Sequence, residues 1–254
     1  MPRKVPFDKV EACGNDFVLL QEQPEPSWPK VLCDRYHGIG ADGVMVLRSI
    51  GEDTVVLDHF DPDGSRSFCL NGIRASLGCL GQKGTVPETG SVRSEGMVVP
   101  YTLNGNARVT LKKTGYRTMD WEERAHRVSG FALDVGNPQF VILETLSEEL
   151  FEALAPRIRN DLIRFPGGTN VNMVWQSNET WRIKTFERGV ETFTKACGSG
   201  MLASALVLFG ETGQTTLRFK PDGQGSVTVT DKGEHLIMEG ATRWVASGEW
   251  LCGC

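Results

Sequence analysis

The chain has 254 residues, with 27 Lys and Arg against 32 Asp and Glu for a net charge of −5, and it is 40% hydrophobic and 23% charged. That usage excludes a disordered or fibrous chain, and the longest apolar run, Met201 to Phe209, falls far short of the roughly 20 residues that span a bilayer. A mild acidic excess without a Lys/Arg block leaves no footprint for nucleic acid or an anionic membrane, and the start, MPRKVPFDKV, lacks the apolar core of a secretory signal. The expectation is a soluble, cytoplasmic, globular protein, built as one large domain or as two of about 127 residues.

In chain order, the pattern predicts a helix over Trp28 to Arg35, then strands over Val44 to Leu47 and Thr54 to Phe60. A helix over Leu70 to Gly81 precedes strands over Met97 to Leu103, Ala107 to Leu111 and Phe140 to Leu143. Ser147 to Ile158 reads as a helix with Ser147 as its N-cap, followed by strands over Val171 to Trp175 and Trp181 to Phe186. Gly198 to Gly210 is the last helix, and strands over Thr216 to Phe219, Val227 to Thr230 and Leu236 to Glu239 close the series. The strands are short, rich in β-branched and aromatic residues, and bounded by turn pairs such as Asp63-Gly64, Asn104-Gly105 and Lys232-Gly233. Many strands around few helices indicate an α+β (mixed α/β) fold.

Seven cysteines, with no export signal, read as reduced thiols. No C-x-x-C pair occurs, and none of His37, His59, His126 and His235 stands at metal-ligand spacing from another, so no metal site is expected. Cys252 and Cys254 read as incidental thiols of a tail. The informative cysteines are elsewhere. Cys69-Leu-Asn-Gly-Ile-Arg-Ala-Ser-Leu-Gly-Cys-Leu80 aligns without gaps on Cys197-Gly-Ser-Gly-Met-Leu-Ala-Ser-Ala-Leu-Val-Leu208, at an offset of 128 (197 − 69). Gly14-Asn-Asp-Phe-Val-Leu-Leu20 echoes Gly136-Asn-Pro-Gln-Phe-Val-Ile-Leu143 with one inserted residue, and Ala41-Asp-Gly-Val-Met-Val46 echoes Gly168-Thr-Asn-Val-Asn-Met173. Three echoes in one order indicate a duplicated half.

Each repeated Cys stands immediately before a predicted helix. The helix N-terminus offers unpaired N–H groups and the positive end of the macrodipole, which lowers a thiol pKa and cradles a carboxylate. A lone cysteine is ordinarily a small buried hydrophobe; two at equivalent helix starts point instead to paired working thiols. Two related halves are expected to meet about an approximate two-fold axis and form a cleft at their seam. Thiols on opposite faces of one small molecule suit inversion at a carbon bearing an acidic hydrogen. One thiolate takes the proton, the other thiol delivers one to the opposite face, and helix N-terminal amides meet the charge that develops on the carboxylate. Such chemistry requires no metal, pyridoxal or nicotinamide, so no cofactor is expected.

These residues resemble the diaminopimelate epimerase family, a group of cofactor-independent amino-acid racemases and epimerases. The motifs run through nearly the whole chain: Gly14-Asn-Asp-Phe17, Cys33-Asp-Arg-Tyr-His-Gly-Ile-Gly-Ala-Asp-Gly43, Phe60 to Arg74, Gly136-Asn-Pro138, Gly168-Thr-Asn-Val171, Glu187-Arg-Gly189 and Ala196-Cys-Gly-Ser-Gly200. The resemblance implies two pseudo-symmetric halves, each a strand-rich barrel around a central helix, with the substrate cleft between them. It implies halves of 1–117 and 118–241, with 242–254 returning to the first. The reaction implied interconverts LL- and meso-diaminopimelate in lysine and peptidoglycan-precursor synthesis, on a small-molecule amino-acid substrate, in a chain that could form a homodimer. Carried over by position, Cys69 and Cys197 would be the acid/base thiols. Asn15, Asn137, Asn170 and Arg188 would bind the substrate's polar groups, Glu187 its ammonium, and Asn71, Gly198 and Ser199 the reacting carboxylate.

Several positions depart from the family's pattern. Leu70 stands where Gly normally follows the first cysteine, Asp61 replaces an Asn that contacts the distal end of the substrate, and Gln139 replaces the His of the usual GNPH motif. Ala75 stands where a further Cys is frequent, and the Glu187-to-Cys197 loop is one residue longer than the commonest form. Asp61 and Leu70 therefore join the candidate substrate contacts, and the alternatives are a relative acting on another amino acid or a binding homologue without catalysis. Gly38-Ile-Gly-Ala-Asp-Gly43 is a formal G-x-G-x-x-G, but a helix precedes it and a strand follows, the reverse of the dinucleotide-binding context. A cysteine hydrolase would need an orienting His, and the duplicated Cys has no duplicated His.

Overall fold

The computed structural model describes residues 3–124, 126–143 and 146–252. It divides into two units, Met1–Thr110 with Glu239–Cys254, and Leu111–Met238. The first run comprises β1 (Arg3–Ala12), β2 (Asn15–Leu20), α1 (Trp28–Cys33), β3 (Gly43–Ile50), β4 (Thr54–Phe60), α2 (Leu70–Gln82), β5 (Thr89–Ser94), β6 (Met97–Asn104) and β7 (Asn106–Lys112). The second comprises β8 (Tyr116–Glu123), β9 (His126–Asp134), β10 (Pro138–Ile142), α3 (Glu148–Arg159), β11 (Asn170–Ser177), β12 (Thr180–Glu187), β13 (Thr192–Thr194), α4 (Gly198–Thr212), β14 (Thr216–Pro221), β15 (Val227–Lys232) and β16 (His235–Gly240), after which β17 (Thr242–Cys252) pairs with β1.

Both units repeat one order of pairing. In the first, β1–β2 is antiparallel, β2–β3 parallel, β3–β4 antiparallel, β4–β5 parallel and β5–β6 antiparallel. In the second, β9–β10, β10–β11, β11–β12, β12–β14 and β14–β15 follow the same alternation. β17 lies antiparallel on β1 as β8 lies on β9. A parallel step needs a crossover, and a helix lies in each one: α1 and α2 in the first unit, α3 and α4 in the second. The protein is thus a mixed α+β fold of two pseudo-symmetric halves.

The sequence of each helix dictates its depth. α4 is apolar on every side, and Gly198 through Phe209 are all buried, as suits a helix with no solvent face. α2 matches it, with Leu70 through Leu77 buried against β1, β2, β3, β6 and β17. α3 instead buries one stripe, Phe151, Leu154, Ala155 and Ile158, at helical spacing. Ser147 caps it as expected, its Oγ accepting from Leu150 N at 3.2 Å, with Glu148 and Glu149 at the positive end and Arg157 and Arg159 at the negative end.

All four predicted helices and all ten predicted strands are present. α1 stops at Cys33 rather than Arg35, because Asp34 turns extended and accepts from Tyr36 N and His37 N. The register also removes the insertion from the second echo. Phe17 pairs with Gly43 on β2–β3 as Gln139 pairs with Asn170 on β10–β11. The structural partner of Phe17 is therefore Gln139, not Phe140, and Gly14 to Leu20 aligns without a gap on Gly136 to Ile142. Gly14 and Gly136 are both at positive φ, and between the matching pairs Glu11–Asp16 and Asp134–Pro138 the β1–β2 turn is one residue longer than the β9–β10 turn. By the same register Met45 matches Asn172, His59 matches Thr185 and Asp61 matches Glu187.

Candidate active site

Cys69 and Cys197 are the N-cap residues of α2 and α4 and share one geometry. Both have extended backbone (φ −126°, ψ 102° and φ −114°, ψ 111°), and each Sγ accepts the N–H of the third helical residue, Gly72 or Gly200, at 3.4 Å. A sulfur in the place usually taken by a Ser or Asp oxygen is held by the N–H groups that a helix start leaves unpaired. The described cysteines, Cys13, Cys33, Cys69, Cys79, Cys197 and Cys252, form no disulfide with one another; Cys254 lies outside the described residues. Among the described residues no three His, Cys, Asp or Glu side chains converge to hold a metal ion.

In the first unit, Asn71 Nδ2 donates to Asn15 Oδ1 at 3.4 Å, and Asn15 Nδ2 donates to Asp42 Oδ2 at 2.7 Å. Asp42 also receives Arg35 at 2.7 Å, and Arg35 and Lys9 clamp Asp16 at 2.8 and 2.6 Å. Burial alone would raise the Asp16 pKa, but the hydrogen bonds and charges of Arg35 and Lys9 outweigh it and hold the group at about 2. The β1–β2 turn that presents Asn15 is thus anchored by an ion cluster. Leu70 is buried at the first position of α2, where its N–H has no intrahelical partner. Asp61 opens the turn after β4 and accepts the Ser65 hydroxyl at 3.5 Å. His59 is buried, with Nδ1 on Ser67 Oγ at 2.9 Å, and desolvation holds its pKa below the usual imidazole value.

In the second unit, Cys197 Sγ lies 3.4 Å from both Glu187 Oε1 and Ser199 Oγ. The expectation of a thiol pKa lowered at a helix start is corrected here. Burial pushes the Cys197 thiol well above its ordinary value and the Glu187 charge adds to it, while Ser199 and the Gly200 N–H pull the other way. The helix start is outweighed because the sulfur is desolvated beside a carboxylate. Asn170 Oδ1 accepts from Arg188 N at 2.8 Å, and the Arg188 guanidinium donates to Gly167 O at 3.0 Å. Cys197, Gly198, Ser199 and Glu187 therefore cluster, with Asn170 and Arg188 joined beside them; Asn137 stands in the β9–β10 turn, where its carbonyl accepts from Val135 N at 3.3 Å.

Three groups near these thiols are given no role by the motif reading, although Arg74 closes one of its motifs. Asn172 and Thr185 face each other across β11–β12, and Thr185 donates to Asn172 Oδ1 at 2.8 Å. Their signal was strand alternation, since Asn172 lies two residues beyond Asn170 and Thr185 two before Glu187, on the same faces. Arg74, five residues after Cys69 on α2, is fully buried, and desolvation lowers its pKa against the opposing pull of Cys13, Cys69 and Glu11. Nothing in its spacing distinguished it from a surface arginine.

The profile of the family described as diaminopimelate epimerase matches residues 131–245. A diaminopimelate epimerase of Methanothrix thermoacetophila is 33% identical, covering 95% of this chain and 94% of its own length. The chain belongs to the diaminopimelate epimerase family. A second such enzyme, from Methanocella arvoryzae, is 29% identical over 97% of this chain and 96% of its own. Among solved structures, a Bacillus anthracis phenazine biosynthesis protein of the PhzF family superposes with a TM-score of 0.71 at 12% identity, covering 98% of this chain and 99% of its own. A hydroxyproline epimerase from Agrobacterium vitis does so with 0.70 at 13% identity, covering 98% and 93%. At that identity the two structures establish the fold alone.

Proposed function

We propose that this chain is a cofactor-independent epimerase that interconverts LL- and meso-diaminopimelate with Cys69 and Cys197 as its two acid/base groups. The observation that carries the reading is the pair of cysteine N-caps, alike in dihedral angles and in their 3.4 Å hydrogen bonds, at the starts of two matching buried helices. One sulfur, as thiolate, takes the α-hydrogen as a proton, and the electron pair of that bond passes into the adjoining carboxylate. The other sulfur, as thiol, returns a proton to the opposite face. Cys197, held protonated by burial and by Glu187, suits the donor in the direction that starts with Cys69 as base. The N–H groups at the starts of α2 and α4 meet the charge that grows on the carboxylate. Asn15, Asn71, Asn137, Asn170 and Arg188 orient the substrate, the fork of Arg188 suiting a carboxylate. Asp61 and Leu70 border the same turns in the first unit. Two working thiols need a reducing compartment, which supports assignment to the cytoplasm; no helix among the described residues is long and apolar enough to cross a membrane.

The test is incubation of the protein with LL- or meso-diaminopimelate in deuterated water. Deuterium enters the α-carbon and the two stereoisomers interconvert, and both signals are abolished in Cys69→Ala and in Cys197→Ala. Absence of exchange with diaminopimelate, alongside exchange with another amino acid from a panel, would redirect the substrate; absence with every amino acid would overturn the reading.

A further inference from the structure

Behind Cys197 runs a closed line of hydrogen bonds. Thr185 Oγ1 donates to Asn172 Oδ1 at 2.8 Å, Asn172 Nδ2 to Gln139 Oε1 at 2.9 Å, and Gln139 Nε2 to Ser199 Oγ at 3.1 Å; Ser199 Oγ is then 3.4 Å from Cys197 Sγ. Gln139, Asn172, Thr185 and Ser199 are each 5% exposed or less, so water does not compete for these bonds. The direction of the line is fixed at one point. Asn172 Nδ2 also reaches the backbone carbonyl of Phe140 at 3.4 Å, and a carbonyl can only accept. Its Nδ2 must therefore point toward Gln139, so Gln139 Oε1 accepts and Gln139 Nε2 donates. One lone pair of the Ser199 oxygen accepts from Gln139, so its hydrogen does not point there and can reach the sulfur.

The other half shows that the fold does not need this line. At the three matching strand positions the first unit carries Phe17, Met45 and His59, and Met45 Sδ lies against Gly72 where Asn172 Oδ1 lies against Gly200. Phe17 and His59 meet edge to face at 5.8 Å. Behind Cys69, Phe17 and Met45 stand where Gln139 and Asn172 carry the line behind Cys197, and His59 bonds to Ser67 instead.

We infer that Gln139 and Asn172 are positioning residues that hold the Ser199 hydroxyl as a hydrogen-bond donor to Cys197. The inference rests on the reading of Cys197 as an acid/base thiol. It gives the sulfur a partner for each protonation state: Glu187 accepts from the thiol, and Ser199 with the Gly200 N–H donates to the thiolate. Proton transfer from Cys197 then needs no rearrangement of its neighbours. The backbone N–H groups of Gly198 and Ser199 remain for the substrate carboxylate.

The test titrates Cys197 directly, in protein labelled with 13C at cysteine Cβ, with the resonance assigned by its loss in Cys197→Ser. Ser199→Ala raises the midpoint of Cys197, with a loss of about ten- to a hundredfold in its acid dissociation constant, the range of one hydrogen bond to a charged group. Gln139→Met raises it in the same direction, and Gln139→Met in the Ser199→Ala background adds nothing further. Asn172→Ala, which removes the donor that holds Gln139, gives the same pattern and serves if Gln139→Met does not fold. In the active enzyme the limb of the kcat/KM pH profile that follows Cys197 moves with the midpoint. An unchanged midpoint in both Gln139→Met and Asn172→Ala, or a shift that persists without Ser199, would overturn the inference. The titration uses no substrate, so this failure is separate from a failure to incorporate deuterium.

Discussion

Gly72 and Gly200 hold the third position of α2 and α4, and each is tight for a different reason. A Cβ at Gly200 would lie 2.2 Å from Asn172 Oδ1, which is pinned by Thr185, Gln139 and Phe140. A Cβ at Gly72 would lie 2.4 Å from Met45 Sδ, in a flexible, unbranched side chain. Gly200→Ala is expected to cost about 1–3 kcal/mol, the range for forcing extra volume into a packed interior. Gly72→Ala should cost less than about 1 kcal/mol, because Met45 can move and alanine is the better helix former. Urea unfolding of both variants is the check, and equal costs would show that Asn172 is not held. At the residue scale the sequence is unevenly legible. Cys69 and Cys197 declared themselves by repetition, whereas Asn172 and Thr185 are ordinary polar residues in ordinary strands. Their meaning comes from what stands across the ladder, and no single segment records that.

At the scale of elements, the turn joining β1 to β2 is fastened to the loop after α1 by Asp16 and Asp42 through Lys9 and Arg35. The folded Asp16 pKa of about 2 lies below its ordinary value of 3.8. A depressed carboxylate contributes stability that is fully present above its unfolded pKa and is lost as pH falls through the folded one. The ion cluster therefore supports the fold above about pH 4 and releases it between about 4 and 2. Asp16→Asn should flatten the dependence of unfolding free energy on pH in that window while lowering stability at neutral pH. An acid limb unchanged in the variant would refute the assignment. The elements themselves were legible where their chemistry is local. Ser147 capped its helix, and β3, β4, β11 and β12 announced themselves by β-branched and aromatic runs. β1, β8, β9 and β17 did not, because charged residues, Pro6 and half-exposed faces dilute the pattern. Those strands are specified by pairing with distant segments, as β1 is by β17.

The whole molecule is a duplication whose copies are completed differently. β8 covers β9 from within its own unit, but the strand in the matching place on β1 comes from the far end of the chain. β17 pairs with β1 from Arg3 through Ala12, sets Trp250 edge to face on Trp28 at 5.1 Å, and directs Ser247 Oγ to Asp8 at 2.6 Å. It also covers α2, where a Cβ on Gly78 would lie 2.2 Å from Thr242 Oγ1. Removing the chain after Ala241 would leave β1 as an open edge and strip one wall from the helix that begins at Cys69. Hydrogen exchange on such a truncated protein should show β1 and α2 losing protection, with β9 and α4 retaining theirs, since each unit holds its own central helix. Diaminopimelate-dependent deuterium incorporation should fall with the first unit even though Cys69 and Cys197 are both intact. Equal loss of protection in α2 and α4 would mean that the two halves unfold as one, and that the terminal strand serves the whole molecule instead of the half it completes.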